Sequence, residues 1–166
     1  MKKLIELIPE KGIGVEVGVM KGKTSDYILK KKQVTLYLID TWDMVERKGK
    51  FYNKDGGVKQ WYKEVLKIQE KYKNRCYVIK QYSEIASYEF NKEYFDFIII
   101  DADHSYLGCY NDLIMWFPKL KPNGILIGHD YDSPKHKGVT KAFNQFAQEH
   151  DLQLNKANNY FVWCIK

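Results

Sequence analysis

Ile13-Gly14-Val15-Glu16-Val17-Gly18-Val19-Met20-Lys21-Gly22 reads as a strand that runs into a glycine turn. Thr35-Leu36-Tyr37-Leu38-Ile39-Asp40 reads as a second strand that ends on a carboxylate. Thr24 to Lys32, between them, reads as a helix with basic residues in its last turn, where they suit the helix dipole. From Gly18 to Asp40 the chain advances 22 residues, about the spacing at which a nucleotide-binding βαβ unit sets an acid on a ribose. Glycine lets the backbone come close to a ligand, and the helix that follows directs free N–H groups into the same crevice. Asp40 is then placed to accept hydrogen bonds from both ribose hydroxyls. The turn is not the dinucleotide fingerprint, because its glycines stand four apart at 14, 18 and 22 and Glu16 lies among them. A carboxylate there would repel a pyrophosphate and suits a ligand with a positive centre.

Working outward, strands and helices alternate. Leu4, Ile5, Leu7 and Ile8 form a short amphipathic helix that Pro9 ends. A long polar stretch follows Asp40, from Asp43 to Gly57, and loops of that length are commonly lids or binding loops. Val58, Trp61, Val65, Ile68 and Tyr72 recur at helical steps. Residues 76–80 read as a third strand and Ser83 to Tyr88 as a short helix. Phe95 to Asp101 is a continuous apolar run, the pattern of a strand buried at the centre of a parallel sheet. Leu107, Tyr110, Leu113, Ile114 and Phe117 form a further helical face, stopped by Pro118. Lys121-Pro122-Asn123-Gly124 reads as a turn and Ile125 to His129 as the fifth strand. Val139, Ala142, Phe143 and Phe146 mark a last long helix, and Leu152 to Asn155 and Tyr160 to Ile165 two closing strands. Such alternation implies one α/β domain over residues 1–166, a doubly wound sheet with helices on both faces and a C-terminal antiparallel hairpin.

Chain length and composition agree with a single core. At 166 residues with 45% hydrophobic and 29% charged content, the chain can bury a full core without staples. Cys76, Cys109 and Cys164 show neither metal nor redox spacing, so buried free thiols are expected, as in a reducing cytoplasm. The basic start, Met1-Lys2-Lys3, is followed by an apolar stretch that Glu6 and Pro9 interrupt, so no leader peptide is read. No apolar run reaches the length of a membrane span. The net charge of +6 raises the question of nucleic acid, but the lysines are scattered and the densest run is Lys30-Lys31-Lys32. Solvated helix faces account for most of them.

In open α/β sheets, ligands sit beyond the carboxyl ends of the strands. Glu16 and Gly18, Asp40, Ser83, Asp101 and Asp130 all fall at such ends and together would line a crevice. A second group, Asp101, Asp103, His104, His129, Asp130 and Asp132, gathers acids and imidazoles after the fourth and fifth strands.

Three stretches carry a resemblance: Glu16 to Gly22; Asp40-Thr41-Trp42; and Phe95-Asp96-Phe97-Ile98-Ile99-Ile100-Asp101-Ala102-Asp103-His104-Ser105-Tyr106 with Gly128-His129-Asp130-Tyr131. In these the chain resembles the class I S-adenosylmethionine-dependent methyltransferases, and among them the small-molecule O-methyltransferases of sugars and related hydroxyl compounds. The resemblance runs from about Ile13 to the C-terminus. It implies a Rossmann-like seven-stranded sheet and methyl transfer from S-adenosylmethionine to an oxygen. By resemblance, Glu16 and Gly18 border the methionine part of the cofactor, Asp40 binds the ribose, and Asp101 lines the same site. Trp42 either lies against adenine or packs in the core. Ser83, with Glu84, either approaches the adenine edge or caps a helix. Related enzymes hold Mg²⁺ at the positions of Asp101 and Asp130. His129 and Tyr131 depart from the oxygen-rich pattern, and imidazole is a poor Mg²⁺ ligand, so the metal is left open. His104 stands where some relatives carry the base that removes the hydroxyl proton, the alternative being a structural histidine in the turn. His136 and His150 are expected to be exposed and outside the site.

Rival functions remain. A nucleic-acid methyltransferase or binding protein fits the charge, but the chain lacks the Asn/Asp-Pro-Pro-aromatic tetrapeptide of the amino-methylating enzymes. A catalytically silent S-adenosylmethionine-binding protein would share the crevice. A nicotinamide dehydrogenase has the wrong glycine spacing. The acceptor is unassigned. Since family members often complete the acceptor pocket with insertions or a second subunit, a homo-oligomer is a further expectation.

Overall fold

The computed structural model describes residues 2–42, 57–157 and 160–166. The stretch read as a lid loop lies outside them, except Gly57, which starts a helix. The elements in chain order are α1 (Lys2–Leu7), β1 (Ile13–Val17), α2 (Lys23–Lys31), β2 (Thr35–Asp40), α3 (Gly57–Tyr72), β3 (Cys76–Lys80), α4 (Ser83–Ser87), β4 (Phe95–Ile100), α5 (Tyr106–Trp116), β5 (Leu120–Gly128), α6 (Lys137–Glu149), β6 (Asn155–Ala157) and β7 (Phe161–Ile165). One seven-stranded sheet runs in the order β3-β2-β1-β4-β5-β7-β6. The first five strands are parallel and β7 is antiparallel to both its neighbours. The chain winds outward from β1 to β3, then restarts at β4 on the other side of β1. That reversal opens a crevice at the carboxyl ends of β1 and β4.

Period-two alternation in the central strands sorts the core into two layers. Val15, Val17, Ile98 and Ile100 point to one face, under Ala86 of α4, Leu113 and Trp116 of α5, and Phe143 and Phe146 of α6. Leu36, Leu38, Phe97 and Ile99 point to the other, under Ile28 and Leu29 of α2 and Trp61 and Val65 of α3. Each fully buried side chain of this size contributes about 1.5–3 kcal/mol. The three cysteines are free and buried as expected, and burial pushes each thiol up to about 12. Among the described residues, no helix is long and apolar enough to cross a membrane.

Three local expectations are corrected. On α5 the buried side chains are Cys109, Asp112, Leu113 and Trp116, while Leu107 and Ile114 are exposed. An acid can occupy that core-facing stripe because the Ser83 hydroxyl donates to Asp112 and accepts from Trp116 Nε1 at 2.8 Å. The expected turn at Lys121–Gly124 lies inside β5 as an irregularity: Phe95 pairs with Leu120, and pairing resumes at Phe97 with Ile125. The first closing strand begins at Asn155 rather than Leu152, because the Leu152 N–H is taken by the Ala147 carbonyl at the end of α6, at 2.8 Å.

Candidate active site

At the end of β1 the chain must turn without lifting off the sheet. Gly18 does so at φ 90°, donating its N–H to the Ile39 carbonyl at 2.8 Å. A Cβ at Gly18 would overlap the carbonyl of Asp101, so only glycine lets β1 and β4 end this close together. Asp40 closes the turn from β2. Its Oδ2 accepts the N–H groups of Val19 and Met20 at 2.9 and 2.8 Å, and its Oδ1 accepts that of Trp42 at 3.1 Å. Each carboxylate oxygen has two acceptor sites, so capacity remains on Oδ1 for a ligand hydroxyl.

Glu16 lies beneath this turn. Alternation with Val15 and Val17 sends its side chain to the α2 face, where the buried Ser25 hydroxyl donates to it. Burial drives the carboxyl up to about 8, against the lowering effect of Ser25, with the charges of Asp101 and Asp40 adding to the rise. Such a group is costly as a lone anion and favours a cation nearby. Glycine turn, acceptor carboxylate and buried acid thus fit a nucleoside ligand with a positive centre. Trp42 is buried against Tyr62 and donates its Nε1–H to the Met20 carbonyl at 2.9 Å. It braces the turn from behind.

At the ends of β4 and β5 the site is made of side chains. His104 Nε2 lies 3.3 Å from Asp101 Oδ1 and 3.0 Å from Asp130 Oδ2. His129 Nδ1 lies 3.2 Å from Asp101 Oδ1 and 3.7 Å from Asp130 Oδ2. Asp130 turns back over the strand ends at φ 60°, a left-handed conformation that aspartate tolerates better than most residues. Burial would raise Asp101, but hydrogen bonds from His104 and His129 outweigh it and hold the carboxyl below its usual range. Burial would lower His129, but the Asp101 hydrogen bond and the charges of Asp101 and Asp130 hold it above the usual imidazole range.

Not every candidate joins the two groups. Ser83 does not cap α4, whose N-cap Tyr82 makes no side-chain cap bond; its hydroxyl ties α4 to α5. Asp103 accepts the Ser105 N–H at 2.8 Å. Asp132 accepts from Lys156 Nζ at 2.7 Å and is half exposed. His150 is exposed and packs on Phe146, as expected. His136 is the correction: its Nε2 lies 3.8 Å from Asp130 Oδ2 and its ring centre 4.2 Å from that of His104. The turn is brought there by Gly138, whose missing Cβ would sit 2.5 Å from Tyr106 N and 2.6 Å from the His104 carbonyl. A glycine two residues after a histidine is too weak a signal to find this from sequence alone. A shallow groove of about 1130 Å³ along α6, lined by Asp132, Lys137, Asn144 and Glu149 among others, includes none of the strand-end groups that face the crevice.

Comparison with known proteins bears on this geometry. Residues 15–131, more than half of the chain, match the family model described as a methyltransferase domain. No curated protein matches the chain. The O-methyltransferase NovP is similar in structure at 15% identity and TM-score 0.67, over 99% of this chain and 77% of NovP. The 1,6-didemethyltoxoflavin N1-methyltransferase of Burkholderia thailandensis, solved with its substrate and S-adenosylhomocysteine, is similar at 9% identity and TM-score 0.65, over 95% and 72%. The spermidine synthase of Thermotoga maritima is similar at 16% identity and TM-score 0.64, over 98% and 56%. An O-methyltransferase, an N1-methyltransferase and a spermidine synthase thus share this fold, which identifies no acceptor. With the glycine turn and acids in place, the family match carries the conclusion: the chain belongs to the methyltransferase domain family.

Proposed function

We propose that this protein transfers a methyl group from S-adenosylmethionine to a hydroxyl oxygen of a small molecule, of the sugar or glycoconjugate class. The observation that carries the reading is His104 Nε2 standing between Asp101 and Asp130 beside the cofactor crevice. A hydroxyl is a weak nucleophile until its proton is taken, and an imidazole flanked by carboxylates is suited to taking it near neutral pH.

S-adenosylmethionine, when bound, supplies an electrophilic methyl group on a sulfonium. The rest is the work of this chain's residues. Gly18 lets the ligand approach the backbone. Asp40 holds the ribose through the remaining acceptor capacity of Oδ1. Glu16 is a buried acid whose ionisation a positive centre bound beside it would favour, and Asp101 forms the wall shared with the acceptor. His104 receives the hydroxyl proton on Nδ1, the ring nitrogen not engaged with the carboxylates, while its Nε2 donates to Asp101 and Asp130, which stabilise the imidazolium that results. Most of the acceleration comes from holding the oxygen in line with the transferring carbon. Trp42 and Ser83 are assigned supporting roles, bracing the glycine turn and α4. Mg²⁺, the ion of related enzymes, does not fit the imidazole-rich donor set at β4 and β5.

The test is incubation with S-adenosylmethionine and a panel of sugars, glycoconjugates and phenols, read by mass spectrometry. A product heavier by one CH₂ with the methyl on oxygen supports the proposal. Methylated nitrogen or methylated nucleic acid would replace it. Cofactor binding with no transfer to any hydroxyl panel member would favour a silent binding protein.

A further inference from the structure

The imidazoles that make Mg²⁺ a poor fit suit another class of ion. Three of the four histidines of the chain meet at one place, from three different segments. His104 follows β4, His129 follows β5, and His136 precedes α6. Their ring nitrogens face Asp130 Oδ2 at 3.0, 3.7 and 3.8 Å. We propose that His104, Asp130 and His136 form a binding site for a d-block divalent cation such as Zn²⁺ or Co²⁺, in preference to Mg²⁺.

The geometry supports it. Two donors about 2.1 Å from one ion, in tetrahedral or octahedral arrangement, lie about 3.0–3.4 Å from each other. His104 Nε2 and Asp130 Oδ2 are 3.0 Å apart, and the three donor atoms of the triad all lie within 4.8 Å of one another. His136 Nε2, at 3.8 Å from Asp130 Oδ2, lies about 0.4 Å beyond that spacing. Donor chemistry selects the ion: two imidazoles and one carboxylate suit zinc and its neighbours, whereas Mg²⁺ demands oxygen and keeps its water. The three side chains are each between a fifth and about a third exposed, at 23%, 20% and 35%, so an ion would retain positions open to solvent or to a hydroxyl.

The arrangement is also built rather than incidental. Asp130 reaches it only through a left-handed backbone at φ 60°. His136 reaches it only because Gly138 lets its turn press against the backbone of His104 and Tyr106. Asp101 and His129 form a second triad with the same Asp130 oxygen, holding two carboxylates and one imidazole. The His104–Asp130–His136 set is the richer in imidazole and is the one we assign. An ion there takes the place of the His104 Nε2 proton, so His104 would serve as a ligand in the ion-loaded protein and as a base in the ion-free one. The site itself does not depend on which acceptor is methylated.

The experiment uses tag-free protein stripped with chelator and titrated with Zn²⁺, Co²⁺, Mn²⁺ and Mg²⁺ by calorimetry, with Co²⁺ followed also by visible absorption. The expected result is one equivalent of Zn²⁺ or Co²⁺ bound at least 100-fold more tightly than Mg²⁺, and a Co²⁺ spectrum showing nitrogen ligation. His136→Ala should weaken Zn²⁺ roughly 100-fold, at least the loss seen when a partner around a metal is removed, while its melting temperature and S-adenosylhomocysteine affinity stay near those of the parent. Mg²⁺ binding as tightly as Zn²⁺ would overturn the proposal. So would an unchanged Zn²⁺ affinity in His136→Ala, or a loss confined to His129→Ala, which would move the ion to the other triad.

Discussion

At the β1–β2 end of the crevice, a carboxylate is held by main-chain N–H groups; at the β4–β5 end, carboxylates are held by imidazoles. Asp40 accepts from Val19, Met20 and Trp42 backbone N–H groups. Asp101 accepts from His104 and His129, and Asp130 faces His104 and His136 as well. The first half is fixed by chain geometry, since backbone donors do not titrate and barely move. The second half is built of ionisable side chains, the groups to which we assign the hydroxyl proton and the cation. A rigid half suits a ligand that is always the same; a titratable half suits the chemistry done on the other one. The two halves join through Gly18, which packs on the Asp101 carbonyl.

The division predicts separable failures. His104→Ala should lower turnover roughly 10²–10⁴-fold and leave S-adenosylhomocysteine affinity nearly unchanged, measured by steady-state kinetics and calorimetry on the same preparation. Normal turnover would return His104 to a structural role. A parallel loss of cofactor affinity would mean the halves are not independent.

Glu16 sharpens the comparison at the rigid end. In the folded protein burial pushes its carboxyl up to about 8, from an ordinary 4.5. Between those values the folded state binds more protons than the unfolded state, so this group makes stability fall as pH rises. Its cost is absent below about pH 4.5 and complete above about pH 8. Glu16→Gln should therefore gain stability relative to the parent as pH goes from 5 to 8, by on the order of 1–4 kcal/mol, in urea melts at a series of pH values. A difference that does not vary with pH would show that the buried acid is already ionised.

Ser83 gives the smallest effect and the clearest control. Ser83→Ala should cost about 1–3 kcal/mol of stability by leaving Asp112 and Trp116 Nε1 without their partner, and should not weaken cofactor binding. A selective loss of cofactor affinity would put Ser83 back in the crevice.

How far the sequence reveals these halves follows from how each is built. The glycine turn and Asp40 are local to one βαβ unit, so spacing alone locates them. The alternating apolar strands and helices likewise set the sheet and its closing hairpin. Asp101 and Asp130 follow once β4 and β5 are known to be neighbours. His136 was not legible, because its place depends on the close approach of Gly138 to the His104 turn, a contact between segments about 30 residues apart. Asp112 was missed for a related reason: an acid on an apolar helical stripe is legible only when its partner, Ser83, is seen in three dimensions. Ser83 and Trp42 sit where cofactor contacts were expected, but their polar atoms bond to the protein itself.

If the β1–β2 half is a preformed S-adenosylmethionine site, calorimetric titration of the parent protein and Asp40→Ala with S-adenosylhomocysteine and, separately, NADH will show it. The parent should bind S-adenosylhomocysteine at micromolar or tighter, Asp40→Ala should weaken it by about 1.5–3 kcal/mol through loss of charge-assisted hydrogen bonds, and NADH should not bind. Failure of the parent to bind S-adenosylhomocysteine, or binding of NADH in its place, would contradict it.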